Sequence, residues 1–479
     1  MICLNLPPSL RIHYDNRYVP GLIPGAREPA LDEINNFMSP LVQDFYASWK
    51  HGTWYTKTAS YPNGRRCRSA LVPLVADLPG ARRIAGTAIS MRVLCPLLCK
   101  NNKDFRSIDH TTWTRRTYQE FKDAAFAWRA AQSKQERAKL FQQNGIRWCE
   151  LLLLPYWDPT RFVVVDPMHN LFLGLVQTHF RELLEMDIQG SDGPEEVGPV
   201  NPQMMAKARK VWEETPTKNK LSSFSIPVLH ALCSELKMHP PTFSGTSRRK
   251  APYIAVLLVG QVFSIINLSN MLSQGEASAD QGKDENNTSP TETVTKVTLG
   301  KKEIREIQKH ISKTMRPSWQ APLPANFGMA GQGKLKADEW RTAIEFDLVV
   351  SVMQLLYKRG ERGKRLAEST MVLAIAIGKG TSHQMTAEHE DEYTRNMTAY
   401  LGSVLKLFPE KRLKPNHHAA LHLGEFLLRF GPTHGWWMFP FERLHGMLQQ
   451  VNTNNKMGKL TRFCELVHSL LTQSQGSLN

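Results

Sequence analysis

Three carboxylates and one imidazole stand where rigid elements would hold them: Asp77, Asp166, Glu442 and His169. Asp77 closes the apolar run SALVPLVAD and Asp166 closes RFVVVD, and both runs read as buried strands that stop at an acid. A side chain at the carboxyl end of a strand is held firmly at the sheet edge, where open α/β sheets assemble their sites. Glu442 lies in GWWMFPFERLHGMLQQ, whose aromatic and apolar residues suggest a helix start packed on a core. Carboxylates gathered in this way hold Mg²⁺ or Mn²⁺, hard ions that prefer oxygen. Two such ions clamp the attacking and leaving oxygens of a phosphodiester. Each acid also has a plainer reading, because an Asp after a strand serves as a turn or helix-capping residue. In DPMHN the i+3 spacing puts carboxylate and imidazole on one face of a helix start. That pair suits a phosphate, a metal ligand or a simple cap.

Softer donors form a second group. Cys95 and Cys99 make a C-x3-C pair, one residue longer than the common zinc spacing, with His110 downstream and no second cysteine pair. Zinc binding and buried free thiols are both open to them. His418 and His422 in NHHAALHLGEF have the i, i+4 spacing of a metal-binding helix. No glutamate follows the first of them, so the zinc-protease motif is absent, and a packing or capping role is favoured.

The elements that must position these groups begin with a helix in LDEINNFMSPLVQDFYASW, where Leu31, Ile34, Phe37, Met38, Leu41, Phe45 and Trp49 fall near helical spacing. Between the two strands, FKDAAFAWRAAQSKQERAKLFQQNG reads as helix ending near Gly145. After Asp166, MHNLFLGLVQTHFRELLEM carries Leu171, Leu175, Phe180, Leu183 and Leu184 on one side of a helix. The run Ile254 to Leu268 is too short and too interrupted by polar residues to span a bilayer, and reads as a buried helix. From Ser273 to about Leu299 the chain is small, polar and poor in aromatics, the composition of a disordered linker. Helices then resume in DEWRTAIEFDLVVSVMQLLYKR and YTRNMTAYLGSVLKLFP. Strand, helix, strand in front and helices behind describe an α/β core interrupted by a large helical insertion.

Sixty Lys and Arg against 44 Asp and Glu give a formal charge of +16, an excess that favours polyanions through counterion release. Seven cysteines, scattered apart from the close neighbours Cys95 and Cys99, do not make a disulfide framework, and a reducing compartment fits them best. The N-terminal MICLNLPPSLR has no long apolar stretch of a signal peptide, and no membrane is implied.

With these residues in place, the sequence resembles the CACTA-like (En/Spm-like) transposases of fungal genomes over nearly its whole length. The likeness rests on LNLPPSLR (Leu4 to Arg11), YVPGLIPGAREP (Tyr18 to Pro29) and RSALVPLVADLPGARRIAG (Arg68 to Gly86). It continues in LPYWDPTRFVVVDPMHNLFLGLVQTH (Leu154 to His179), KLKADEWR (Lys334 to Arg341), and a last block of NHHAALHLGEFLLRFGP, FERLHG and NTNNKMGKL. The resemblance implies an α/β fold with an RNase H-like core and a DDE set of acids on the first strand, the fourth strand and a late helix. Asp77 matches the second acid and Glu442 the final glutamate, which makes them the implied Mg²⁺ or Mn²⁺ ligands. Asp166 and His169 match the D-x-x-H element after the fifth strand. Cys95 and Cys99 fall where the family has C-x-x-C, with a spacing of three here.

The family's first acid lies upstream of the block matching LNLPP, and this chain starts at Met1. The expectation is therefore an N-terminally truncated catalytic domain whose core lacks its first strand. Its layout would be residues 1–180 as the N-terminal part of the core, and 181–410 as a helical insertion with the linker at about 273–299. Residues 411–479 would be a C-terminal helical part carrying the final glutamate. The function implied is that of a transposase remnant, impaired in metal-dependent DNA cleavage and strand transfer. Two other readings stay open: a domesticated, non-catalytic DNA-binding protein, and an active transposase if the chain extends upstream. Expected partners are DNA and a second copy of this chain or a full-length transposase copy. A nuclear location follows from the resemblance and the charge, with KKEIREIQKH at Lys301 and RRK at Arg248 as signal candidates.

Overall fold

The computed structural model describes residues 1–21, 23, 29–88, 99, 107–186, 202–214, 216–236, 250, 253–254, 256–258, 299–328 and 334–449. They are mostly helical, with a single small two-stranded sheet. The chain divides into two units: Met1–Asp187 with Val297–Ala325 and Leu335–Asn479, and Ile188–Lys296 with Asn326–Lys334. The helices after Leu335 thus group with the N-terminal segment, whereas the sequence reading placed residues 181–410 together.

In the first unit, helix α1 (Ile34–Lys50) runs through Pro40, which removes one internal hydrogen bond. Ile34 and Val42 are buried while Phe37 and Trp49 stay exposed, so only one edge of the expected stripe meets the core. An antiparallel hairpin follows, β1 (Thr53–Tyr55) paired with β2 (Arg65–Cys67). Gly52 and Gly64, at φ of 74° and 85°, make its two sharp reversals.

The two apolar runs that end at acids were expected as strands, and they lie side by side in the parallel sense but touch at one bridge, Leu74 to Val163. Leu74 N donates to Phe162 O at 2.7 Å and Val164 N to Leu74 O at 3.2 Å. Two sequence features keep the ladder short. Pro73 has no N–H to give. Asp158 accepts from Thr160 N at 2.8 Å and starts a one-turn helix, Pro159–Phe162, that takes Arg161 and Phe162 out of the run. Val163, Val164 and Val165 are fully buried, while Leu71 to Ala76 are half-buried.

Asp77 caps α2 (Leu78–Ile84). The single helix expected before Gly145 is two, α3 (Tyr118–Ala130) and α4 (Lys134–Asn144). Ser133 accepts from Glu136 N and so opens a new helix where the composition alone reads straight through. Gly145, at φ 66°, ends α4 as expected. After Asp166 the chain coils into α5 (Met168–Val176), wound in the wider i→i+5 form, and a second wide stretch, His179–Leu183. Leu171, Phe172, Leu175 and Phe180 are fully buried there.

The C-terminal half supplies most of the core. The helical stretches Ala337–Thr342 and Ala343–Asp347 lead into α9 (Leu348–Tyr357), preceded by α8 (Lys301–Lys313). Helices α10 (Gly360–Gly380) and α11 (Ala387–Leu407) pack on each other across a short loop, and α12 (Pro415–Phe430) lies against α11 and α5. Tyr393 donates its hydroxyl to Ala420 O at 2.8 Å, and Trp340 stacks on Phe180. Helix α13 (Phe439–Gln449) ends the described part.

The second unit packs α6 (Pro202–Glu214) and α7 (Ile226–Glu235) around Ala208, Leu221, Leu229, Leu232 and Leu257. Ile254 and Leu257, from the run expected as a buried helix, are buried here, and residues 259–268 lie outside the described residues. The expected linker lies outside them as well, apart from Leu299, which is fully buried. Among the described residues no helix is long and apolar enough to cross a membrane, and Cys3, Cys67, Cys99, Cys149 and Cys233 are free thiols.

Candidate functional site

Asp77, the Asp166–His169 pair and Glu442 come from three separate stretches of chain and gather at one cleft, which the first three line. Its walls are Ala76, Asp77, Leu78, Pro79, Asp166, His169, Asn170, Leu173 and Asn416, and its volume is about 240 Å³. The bridge between Leu74 and Val163 sets the ends of the two extended runs side by side, which brings Asp77 and Asp166 to the same end. Glu442 stands beside the cleft, its Oε1 3.9 Å from His169 Nε2.

Asp166 is the buried anchor, 2 % exposed. Its Oδ2 accepts from the main-chain N of His169 at 2.9 Å and from His169 Nδ1 at 2.7 Å. Its Oδ1 accepts from the main-chain N of Met438 at 2.9 Å. The capping reading and the site reading of this residue are therefore both realised in one geometry. The carboxylate starts α5, fixes the imidazole with Nδ1 as donor, and ties down the chain just before α13. Other contacts hold α13 in place: buried Arg17 donates from Nη1 to Pro440 O at 2.9 Å, and Phe439 packs edge-on against Trp437 and near Phe172.

Asp77 is exposed, and its Oδ1 accepts from Gly80 N at 2.8 Å, as an N-cap does. Its second oxygen, and the half-exposed carboxylate of Glu442, make no hydrogen bond among the described residues. Burial of His169 works against its protonated form. The hydrogen bond to Asp166 and the charges of Asp166, Glu442 and Asp77 outweigh burial and raise its pKa above the ordinary value. The ring thus holds its proton more tightly than a free imidazole does, under the charges of Asp166, Glu442 and Asp77. The side-chain oxygen of Asn170, also on the cleft wall, is buried without a partner among the described residues. Open carboxylates and a carbonyl oxygen are the donor chemistry of a hard divalent cation, and Asp77 and Glu442 fit that role. Asp166 is engaged in three hydrogen bonds, one of them to the His169 ring.

A second cluster joins residues that the sequence reading kept apart. Cys99 Sγ lies 3.4 Å from His422 Nε2, and His422 Nε2 lies 3.0 Å from His418 Nε2. All three side chains are buried, with one ligand atom from each within 4.8 Å of the others. Ligand atoms around tetrahedral zinc lie roughly 3.3–3.8 Å apart, given Zn–N near 2.0 Å and Zn–S near 2.3 Å. A thiolate with two imidazoles is a zinc-type donor set. Cys95, the expected partner of Cys99, lies outside the described residues. Glu425 sits 3.7 Å from the outer nitrogen of His422 and pairs with Arg115. Burial alone would raise its pKa, but His422 and Arg115 hold its carboxyl down at about 2. Trp113 stacks on His418 at 4.0 Å between ring centres.

Sequence spacing pointed to the histidine pair but favoured packing, and no spacing rule links Cys99 to residues more than 300 positions away. Asn416 and the main-chain N of Met438 also escaped the sequence reading, because their roles arise from backbone contacts that carry no residue signature. Of the two basic runs, KKEIREIQKH lies in α8, whose Ile304, Ile307 and Ile311 are buried, leaving its charges on the other face. Arg248 and Arg249 lie outside the described residues, and Lys250 donates to Ser222 O.

No curated protein matches the chain. Residues 1–142 match the family model of transposase family tnp2. The N-terminal part of this chain, which includes Asp77 and the first run bordering the cleft, is similar to that transposase family.

Proposed function

We propose that this is a transposase-derived DNA-binding protein of the CACTA-like kind, with a retained but impaired metal-dependent phosphodiester site. The observation that carries the reading is the meeting of Asp77, Asp166 and His169 at one cleft with Glu442 beside it, although Asp166 and Met438 are 272 residues apart. The parallel pairing of the two runs that end at Asp77 and Asp166 supports an RNase H-like core. Asp77 and Glu442 would hold Mg²⁺ or Mn²⁺, which supplies activation of the attacking oxygen and charge neutralisation at the phosphate. Asp166 holds the His169 ring, which when protonated would place positive charge where a phosphate would enter. The expected impairment, for want of the family's first acid, is supported by the ligand count: Asp166 is committed to three hydrogen bonds, which leaves two open carboxylates for the cation.

The formal charge of +16 favours a second reading, DNA binding without cleavage. Cleavage of end-labelled DNA in Mg²⁺ and Mn²⁺, beside Asp77→Ala and Glu442→Ala, separates the readings. Little or no cleavage by a folded chain that binds DNA supports the impaired site. Robust cleavage lost in both variants overturns it in favour of an active transposase. Cation-independent binding that neither variant changes, with no cleavage at all, favours the binding protein.

Cys99, His418 and His422 form a structural zinc site in this proposal, and the nucleus is the proposed location. About one zinc per chain is expected by elemental analysis, and none in Cys99→Ser or His422→Ala. Wild-type protein purified without chelators and free of zinc would remove the metal role and leave a packed cluster. Self-association through a second copy is tested by sedimentation with and without DNA.

A further inference from the structure

The hairpin of β1 and β2 lies outside the cleft. From Lys50 to Arg68 the sequence KHGTWYTKTASYPNGRRCR has five Lys and Arg and no Asp or Glu. None of these five cations pairs with a carboxylate among the described residues. All three β1 residues are exposed, as are Arg65 and Arg66 of β2. Trp54, Tyr55 and Tyr61 are 56 %, 51 % and 44 % exposed. A two-stranded ribbon gains little stability from rings left in water, so three such rings on one ribbon are not there for packing.

The register gives the ribbon two equivalent working faces. Trp54 is opposite Arg66 and Tyr55 is opposite Arg65, so each face presents one flat ring beside one guanidinium. Arg65 also lies over the Tyr61 ring, 4.4 Å from its centre. Gly64, at φ 85°, lets the Trp54 indole lie close over the turn, since a Cβ there would sit 2.8 Å from the ring. The indole is thereby held with its other side open.

We propose that this hairpin binds single-stranded DNA, its rings stacking on unpaired bases and its cations taking the phosphates. The inference rests on the reading that the chain binds DNA. Charge complementarity requires a polyanion, and the paired rings select among polyanions. Duplex DNA offers phosphates but keeps its bases stacked on one another, whereas an unpaired base has a free face for an indole or phenol. Single-stranded RNA offers the same faces and charges, and the test separates it from DNA.

The experiment uses the full chain and fluorescence anisotropy with labelled dT20, rU20 and a 20-base-pair duplex across a salt series. The variants are Trp54→Ala with Tyr55→Ala, and Arg65→Ala with Arg66→Ala; a Trp54→Phe with Tyr55→Phe variant keeps the rings. The expected result is a loss of about tenfold or more in dT20 affinity for the alanine pair, with duplex affinity changed less than threefold and phenylalanine restoring most of the loss. The arginine pair should flatten the dT20 salt slope by about 1.4, the value for two lost phosphate contacts on a single strand. Variants that bind dT20 within twofold of wild type, equal losses on duplex, or rU20 bound more tightly than dT20 would each overturn the proposal. A wild-type chain that binds none of the three would overturn the DNA-binding reading itself, a different result from wild-type binding that the hairpin variants leave intact.

Discussion

At the residue scale, Asp166 and Glu442 are both acids of one cleft but carry opposite structural weights. Replacing Asp166 by Ala removes the acceptor of two main-chain amides and of Nδ1 at a site almost closed to water. We expect a loss of roughly 2–3 kcal/mol, since buried donors left without partners each lose far more than exposed ones. Glu442→Gln, half-exposed and without a hydrogen bond, should stay within about 0.5 kcal/mol. Urea denaturation of the two variants checks this, and equal losses would mean that Glu442 also holds the fold. The same pair bears on His169. Its raised pKa means that its stabilising contribution is full below the ordinary value near 6.5 and is lost as pH rises through the higher folded value. Removing the Glu442 charge should lower that pKa, which NMR titration of the ring reads directly. The acids were legible in the sequence because each closes an apolar run or follows an aromatic one. What Asp166 bonds to was not, because the partner is a main-chain amide whose residue type is irrelevant.

At the element scale, the close meeting of α5 and α12 depends on Gly174. A Cβ there would stand 2.6 Å from the side-chain nitrogen of Asn416 and 3.1 Å from its Cβ, so the helices must separate or Asn416 must turn away. Asn416 lines the cleft, and its main-chain O accepts from Asn170 at 2.9 Å. Gly174→Ala should therefore cost about 1–3 kcal/mol by overpacking, and should weaken DNA binding if the cleft contacts DNA. Thermal melting with an affinity measurement checks both, and a variant with wild-type stability would show that Asn416 turns freely. Helix existence was largely readable from period and composition, as in α9 and α11. Boundaries were less so: Ser133 splits one expected helix by capping a new one, and Pro73 with Asp158 cuts two expected strands down to one bridge. Such local competitions are decided by single hydrogen bonds that a pattern of apolar residues does not encode.

Across the whole molecule, two buried histidines and a third that is partly buried set an acid limit on stability. Burial, with help from nearby charge, lowers His179 to about 3 and His417 and His434 to about 4. The unfolded chain protonates these rings near pH 6.5 while the folded chain resists, so stability falls as pH drops from about 6.5 toward 4. Each ring contributes up to about 1.4 kcal/mol per pH unit in that window. Urea midpoints at pH 7, 6 and 5 should fall, and less steeply in His434→Gln. His434 is the ring to test because it stacks on His383 at 3.8 Å with both nitrogens unpartnered among the described residues. An unchanged slope in the variant would mean that the ring protonates without opening the fold. The bond from Met438 to Asp166 acts at this scale too. A message cut short anywhere before codon 438 yields a chain in which Asp166 has no amide for its second oxygen and α13 is absent. Such a product should be less stable than the whole chain, so that premature termination would weaken folding as well as remove Glu442.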